Sequence, residues 1–304
     1  MNNEKYCDFV SSRGIAYNCD VYPKKIISDT EQFDFDDYVN IKDGAKVYVI
    51  SSVLDKFIAQ VFPTMVKNNI CITLVTGACV ISVPNELSTL HNINYLKFVK
   101  NHNKYIKRWY TQNCDVVNNH YIKTIPLGLD YHTLQNQNHY WGPMQSALEQ
   151  ENQLKLVCEK SIKNKYNKKV MSFSYFHYAM MKRNDGDRYK AKHALHDKSF
   201  NYYLPSKLPR LEIWEKHIDY HFIVSPHGQG LDCHRTWEAL MLGCIPIVQT
   251  SSIDNLFHDL PVLILQRWSD LNENLLRETL EKFSNTQFNF EKLTLKYWVK
   301  YLHL

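Results

Sequence analysis

The amino-acid sequence predicts an α/β protein with parallel sheets, and three observations support this. Short apolar runs rich in β-branched residues, such as KVYVISSV at 46–53 and ICITLVTG at 70–77, alternate with segments of helical periodicity. The runs are mostly apolar along their whole length, as in strands that are buried on both faces. The alternation occurs twice along the chain, with a polar, irregular stretch at 131–150 between the two series. Two such series predict two doubly wound domains.

The first series predicts an N-terminal domain over residues 1–140. Its strands are predicted at 46–53, 70–77 and 121–130, and its helices are predicted in DKFIAQVFPTMVKNN and LHNINYLKFVKNHN. The segment KRWYTQNCDVV lies between them and receives no assignment. Open parallel sheets bind ligands at the carboxyl ends of their strands. Two domains that face each other would therefore enclose a central cleft where two substrates meet.

The second series predicts a C-terminal domain over residues 141–285. Strand-like runs are KVMSFSYF, HFIVS, CIPIV and PVLIL, and helical segments are ENQLKLVCEKSIKNKYNK, LEIWEKHID, CHRTWEALML and SDLNENLLRETLEKF. The final segment, 286–304, contains EKLTLKYWVKYLHL, which has the spacing of an amphipathic helix. We expect this helix to pack back on the N-terminal domain.

Composition excludes several classes of protein. The 304 residues are 44% hydrophobic and 22% charged, as in soluble globular proteins. A net charge of +5 suits anionic ligands but is too small for a protein that coats nucleic acid, and the basic run KNKYNKK is typical of a solvated helix end. No run approaches the roughly 18 to 20 apolar residues that span a bilayer. Eight cysteines without a C-x-x-C pair indicate reduced thiols, and so a cytoplasmic protein.

The stretch SPHGQGLDCHRTWEALMLGCIPIV, residues 225–248, places polar groups between two apolar strands. Gly228 and Gly230 would let the backbone approach a ligand closely. Asp232 is placed to cap the following helix, on which Arg235 and Glu238 share one face. A helix N-terminus and an arginine fork favour a phosphate, and a nearby carboxylate can accept hydrogen bonds from ribose hydroxyls. The pattern predicts a nucleotide diphosphate site, although a turn followed by a surface ion pair would give the same spacing.

This stretch, together with SSIDNLFHDLPVLIL after it, resembles the donor-binding half of exostosin-like glycosyltransferases, including those carried by large DNA viruses. The segments NCD at 113–115 and IPLGLDYHTL at 125–134 are also similar to that family. The resemblance implies the GT-B fold, in which two Rossmann-like domains face a central cleft. It further implies a donor site and reaction with inversion. The residues that it places in or beside the donor site are His227, Gly228, Arg235, Glu238, Ser251, Ser252 and Asp254.

The predicted reaction moves a sugar from a nucleotide-sugar donor to a hydroxyl of a glycan or glycoprotein acceptor. A UDP-sugar is the favoured donor and a GDP-sugar comes next. Inversion requires a general base that takes the acceptor proton. Carboxylates that follow predicted N-terminal strands are candidates for that base: Asp55, Glu86, Asp115 and Asp130. The sequence GACV at 77–80 stands where the family often has acidic residues, which leaves a catalytically silent nucleotide- or carbohydrate-binding protein as an alternative.

The segment KRNDGDR at 182–188 supports two interpretations. Asp185 and Asp187 form a D-x-D pattern, which in metal-dependent GT-A transferases holds a divalent cation on the diphosphate. In a GT-B protein the same loop would face the donor, and Arg183 and Arg188 would contact phosphate in place of a metal. We favour the second interpretation, which predicts no metal site and no cofactor.

Overall fold

The computed structural model describes residues 4–176 and 183–303. Within these ranges the strands are β1 (Lys46–Ile50), β2 (Ile72–Gly77), β3 (Ile106–Thr111), β4 (Ile122–Thr124), β5 (Lys169–Ser174), β6 (Asn201–Tyr203), β7 (Tyr220–Val224), β8 (Ile245–Gln249) and β9 (Leu263–Leu265). The α-helices of the same ranges are α1 (Gly14–Tyr17), α2 (Leu54–Gln60), α3 (Phe62–Lys67), α4 (Asn85–His91), α5 (Tyr95–Asn101), α6 (His132–Asn136), α7 (Ala147–Asn164), α8 (Asp187–Leu195), α9 (Arg210–His217), α10 (His234–Met241), α11 (Glu273–Ser284) and α12 (Leu295–Tyr301). No helix in the described part of the chain has both the length and the apolar character needed to cross a membrane.

The first half of the chain forms a parallel sheet in the order β1-β2-β3-β4. Val47 pairs with Leu74, Leu74 pairs with Trp109, and Trp109 pairs with Ile122. These side chains are buried, as parallel strands with helices on both faces require. The prediction of an α/β protein is confirmed for this half.

The second half forms a separate parallel sheet in the order β6-β5-β7-β8-β9. Its two faces pack into different clusters, because successive side chains of a strand point to opposite sides. On β7, Phe222 and Val224 join a cluster with Leu276 of α11, while Ile223 joins the larger core that contains Trp237 of α10. The chain leaves β5 toward β6 on one side and later returns to place β7 on the other. This reversal opens a crevice at the carboxyl ends of β5 and β7.

Several elements differ from the prediction, and the strand predicted at 121–130 is only the three-residue β4. The predicted helix at 55–69 divides into α2 and α3, with Pro63 near the start of α3. The helical segment at 90–103 divides between α4 and α5, because Asn92 takes a left-handed conformation with φ of 53° and ends α4. The unassigned segment KRWYTQNCDVV contains most of β3, whose charged residues Lys107 and Arg108 interrupt the apolar signal.

The C-terminal segment contacts the N-terminal part of the chain. The backbone N–H of Leu295 donates to the Asp8 carbonyl oxygen over 2.8 Å, and the Tyr110 hydroxyl donates to the Tyr301 carbonyl over 3.2 Å. The segment begins with a 3-10 helix, Phe290–Leu293, before α12. The domain boundaries near residues 140 and 285 stay predictions.

Candidate functional site

Two cavities flank the loop that joins β7 to α10, residues 225–233, which we call the glycine loop. One of them, lined by Arg188, Arg210 and Arg235, has a volume of about 490 Å³, and we call it the arginine cavity. The other, which is lined by His227 and which we call the histidine cavity, has a volume of about 540 Å³ and is more open to solvent than the arginine cavity. Both are in the range of small-molecule sites. The residues that the sequence assigned to one donor site are therefore divided between two neighbouring cavities.

The arginine cavity lies in the crevice where the second sheet reverses its strand order. Much of its wall is formed by residues that directly follow β5 and β6 and by residues of α9 and α10. The charged, aromatic and imidazole side chains of this wall include those of Asp130, Trp141, Tyr175, Phe176, Lys207, Arg188, Arg210, His234, Arg235 and Glu238. Four of its described lining side chains are cationic and two are carboxylates. This excess of positive charge suits an anionic ligand.

Two arginines that line this cavity, Arg188 and Arg235, interact electrostatically. Burial, followed by the positive charge of Arg235, lowers the pKa of Arg188 from its usual value. Arg235 donates to the Pro226 carbonyl over 3.4 Å and lies 5.7 Å from the centre of the Phe176 ring. Two neighbouring cations repel each other, and an anion between them removes that repulsion. The pair is therefore suited to bind a phosphate group.

Glu238 lines the same cavity one helical turn after Arg235. Burial raises the pKa of Glu238, and the positive charges of Arg210, His234 and Arg235 oppose this rise. Its helix begins at His234, with Cys233 as the N-cap, and the Cys233 side chain makes no capping hydrogen bond. The predicted face shared by Arg235 and Glu238 is thus directed at a cavity and not at bulk solvent.

Arg210, at the start of α9, also lines the arginine cavity, although it was not among the predicted site residues. Its side chain is buried, and Nη1 donates to the Asp130 carbonyl oxygen and to Gln150 Oε1. The guanidinium carbon lies 4.9 Å from the Trp141 ring and 5.6 Å from the Trp214 ring. The one available signal was an arginine directly after Pro209, at a helix start, where a cation is unfavourable next to the helix dipole.

Asp130 faces the arginine cavity with both carboxylate oxygens engaged. Oδ1 accepts from the Thr133 backbone N–H over 2.9 Å, and Oδ2 accepts from the Thr133 hydroxyl over 2.7 Å. Burial would raise the pKa of Asp130, but His132, His234 and Arg210 outweigh it and hold that pKa well below the usual value. A carboxylate with so low a pKa is a weak proton acceptor.

The glycine loop is fixed by side chains of residues 183–188. Asn184 Nδ2 donates to the carbonyl oxygens of Gly228 and Gly230, both over 3.1 Å. Arg188 Nε donates to the His227 carbonyl over 3.0 Å. Asp187 Oδ2 accepts from the backbone N–H and from Nδ1 of His227, each over 2.8 Å. These contacts hold the loop carbonyls toward the 183–188 segment.

A glycine is required at position 230 because a protein side chain approaches its backbone closely. A Cβ at this position would lie 2.6 Å from Asn113 Nδ2. Asn113 Oδ1 accepts from the Asp232 backbone N–H over 3.0 Å, so the first half of the chain packs directly on the loop. Asp232 itself accepts from the Leu127 backbone N–H over 2.7 Å. The segments at 113–115, 125–134 and 225–248 therefore meet around this loop.

The histidine cavity lies on the other side of the loop, beside the carboxyl end of β8. Its lining residues are Glu86, Arg183, Asn184, Asp185, Asp187, Lys190, His227, Leu231, Gln249, Thr250 and Ser251. Arg183 Nη2 lies 2.9 Å from both carboxylate oxygens of Glu86. The same guanidinium donates to the Val80 and Gln229 carbonyls. Arg183 thus links the GACV segment and the start of α4 to the glycine loop.

The remaining predicted residues are not in the lining of either cavity. Ser252 donates from its hydroxyl to the Cys114 carbonyl over 2.7 Å, and Asp254 accepts from the Ser251 backbone N–H over 2.9 Å. Asp55 is on α2, and its Oδ1 lies 3.8 Å from His91 Nε2. Asp115 accepts from the backbone N–H groups of residues 85 and 86 at the start of α4. The assignment of a general base among the carboxylates stays a prediction.

The D-x-D pattern does not present two carboxylates together. The Asp187 side chain is 4% exposed, and Trp268 Nε1 donates to its second oxygen. Asp185 is exposed and has a left-handed backbone conformation with φ of 54°. In the described ranges no cluster of three or more His, Cys, Asp or Glu side chains could hold a metal ion. Lys182, which opens the KRNDGDR segment, lies outside the described residues.

Comparisons with known proteins add little to this geometry. No protein-family model matches the chain, and no curated protein matches its sequence. One solved structure with some likeness is that of WaaG, a glycosyltransferase involved in lipopolysaccharide biosynthesis. The two share 11% sequence identity with a TM-score of 0.26, over 84% of this chain and 93% of that chain. At this TM-score the likeness assigns neither a family nor an activity.

Proposed function

We propose that this protein is a GT-B glycosyltransferase that transfers a sugar from a nucleotide-sugar donor to a hydroxyl of a glycan or glycoprotein, with inversion. The observation that carries the proposal is the pair Arg188 and Arg235, placed beside Glu238 in a cavity at the strand reversal of a parallel sheet. That position is where open α/β sheets bind nucleotides. UDP is the favoured carrier and GDP comes next.

The two cavities divide the donor between them in this proposal. The nucleotide occupies the arginine cavity, where Arg188 and Arg235 bind the diphosphate and Glu238 accepts a hydrogen bond from a ribose hydroxyl. The aromatic residues Trp141, Tyr175 and Phe176 provide flat apolar surfaces on which the nucleobase can stack. The sugar extends past the glycine loop into the polar histidine cavity. As the bond to the anomeric carbon breaks, negative charge grows on the diphosphate and the two arginines stabilise it.

We expect a nucleoside diphosphate to stabilise the protein in the presence of EDTA. A ligand that binds only the folded state raises the melting temperature, by about 5 °C at a hundredfold excess over Kd. The measurement is a thermal-shift screen of UDP, GDP, ADP, CMP and their common sugars, each with EDTA and with Mg²⁺ or Mn²⁺. Stabilisation only with metal would favour the Asp185 and Asp187 alternative. No response to any nucleotide would contradict the proposed function, and binding without transfer would favour a silent binding protein.

Glu238→Gln should separate ribose recognition from phosphate recognition. The amide keeps the size of the side chain but accepts a weaker hydrogen bond, so affinity for UDP should fall by on the order of 1 to 2 kcal/mol. Pyrophosphate lacks a ribose, and its affinity should change less than about twofold. Isothermal titration of both ligands to the wild type and the variant measures this. Equal losses for the two ligands would remove the ribose role of Glu238.

A further inference from the structure

Asp187 and His227 form a carboxylate–imidazole pair in the wall of the histidine cavity. His227 Nδ1 lies 2.8 Å from Asp187 Oδ2, and the two side chains are 11% and 4% exposed. Burial opposes ionisation of Asp187, but hydrogen bonds from His227 and Trp268 hold its pKa below the usual value. An ionised carboxylate can only accept, so Nδ1 of His227 must carry a hydrogen. In the neutral ring, Nε2 is then an acceptor.

The acceptor nitrogen is available to the cavity. Nδ1 carries the imidazole's hydrogen bond to Asp187, and Nε2 has no hydrogen-bond partner among residues 4–176 and 183–303. His227 is part of the histidine cavity lining, together with the hydroxyl and amide side chains of Gln249, Thr250 and Ser251. A polar lining of this kind suits the hydroxyl groups of a sugar.

The other groups of this cavity are poorer proton acceptors. Both oxygens of Glu86 contact Arg183, and one also accepts from the Ser82 backbone N–H over 2.8 Å. These contacts stabilise the charged carboxylate and so weaken it as a base. Lys190 and Arg183 are cations, and Asp185 is exposed. Asp130 lies in the arginine cavity on the opposite side of the glycine loop.

We propose that the histidine cavity receives the acceptor hydroxyl, and that His227, oriented by Asp187, is the general base of the transfer. The acceptor O–H proton moves to His227 Nε2 while the acceptor oxygen forms a bond to the anomeric carbon. The bond from that carbon to the phosphate oxygen breaks, and the diphosphate leaves with the electron pair. The imidazolium returns its proton to solvent. This inference rests on the proposed function, and Asp187 acts in it as a positioning residue.

The first experiment tests the tautomer without relying on catalysis. ¹⁵N-histidine NMR of the full chain, assigned with His227→Asn, should show that the neutral form of the His227 ring is protonated on Nδ1. Asp187→Asn should move this ring toward a mixture of tautomers, because the ionised acceptor is lost. A wild-type ring protonated on Nε2 would overturn the inference, whether or not the protein is a transferase.

The second experiment tests the step itself with the donor found in the nucleotide screen. His227→Asn keeps an N–H that can reach Asp187 but removes the nitrogen that takes the proton. We expect kcat to fall by about 10²- to 10⁴-fold, with the Kd for the nucleoside diphosphate unchanged within about twofold. His196→Gln, on the exposed His196 at the end of α8, is the matched control and should keep wild-type kcat.

The outcomes of the second experiment are distinguishable. A His227→Asn variant with kcat within about threefold of the wild type would overturn the inference while the proposed function stands. A parallel loss of nucleotide affinity would make His227 a donor contact and would also overturn it. A wild-type protein that binds nucleotide but transfers no sugar from any donor would overturn the proposed function, and the inference with it.

Discussion

Replacing Arg235 by alanine should weaken the binding of a nucleoside diphosphate by about 1.5 to 3 kcal/mol, the scale of a lost charge-assisted hydrogen bond. This corresponds to a Kd about 10- to 150-fold higher. Arg188 stays in the cavity and keeps part of the positive charge. The loss is therefore expected to be large but incomplete, and isothermal titration with UDP or the nucleotide found in the screen measures it.

Two further variants make the result for Arg235 specific. Arg235→Lys keeps the charge but loses the planar fork, so its affinity should fall between those of the wild type and the alanine variant. Arg277→Ala removes an exposed arginine that pairs with Glu273 on α11, far along the chain from the cavity, and should bind as the wild type does. Unchanged affinity in Arg235→Ala would contradict the site assignment and leave the arginine as a helix surface residue.

The architecture was largely predictable because the strands are short, apolar and separated by helical segments. KVYVI and ITLVTG are buried strands in the structure, as predicted. A parallel strand covered on both faces has few polar positions, so it is recognisable in the sequence as a continuous apolar run. The prediction failed for β3, where Lys107 and Arg108 precede the buried part of the strand. It also gave no strand at β6, three residues long, which lies at the sheet edge.

The arrangement of the candidate site was less predictable, because it depends on contacts between distant segments. Sequence spacing put Arg235 and Glu238 on one face, and that face does line a cavity. Spacing could not show that His227 and Ser251 face a second cavity on the other side of the loop. The partner of His227 is Asp187, 40 residues earlier, which the sequence presented as half of a metal-binding pattern.

The place of Arg210 in the site was also not predictable from the sequence. Its role depends on a carbonyl 80 residues away and on two tryptophan rings, none of which local pattern can supply. Asp232 was expected to cap α10, but the N-cap is Cys233, and Asp232 Oδ1 instead accepts from the Cys233 backbone N–H over 2.8 Å. The carboxylate also joins the two halves of the chain, which only the folded structure could reveal.

Asp232→Ala should be strongly destabilising because this carboxylate satisfies three buried or partly buried donors. Besides the Cys233 backbone N–H, it accepts from the Leu127 backbone N–H over 2.7 Å and from Trp237 Nε1 over 2.9 Å. Asp232 is 3% exposed and Trp237 is fully buried, so water cannot easily replace the lost oxygens. Each unsatisfied buried donor costs about 1 to 3 kcal/mol, and partial relaxation should leave a net loss of about 3 to 4 kcal/mol.

Urea unfolding followed by tryptophan fluorescence and by far-UV circular dichroism measures this free energy. Asp197→Ala removes a carboxylate that is 92% exposed and should change the free energy of unfolding by less than about 0.5 kcal/mol. Asp232→Asn keeps the volume but turns an N–H toward one of the three donors, so it should also destabilise the fold. A loss below about 1 kcal/mol in Asp232→Ala would show that the contacts of the glycine loop with residues 113–128 do not depend on this carboxylate.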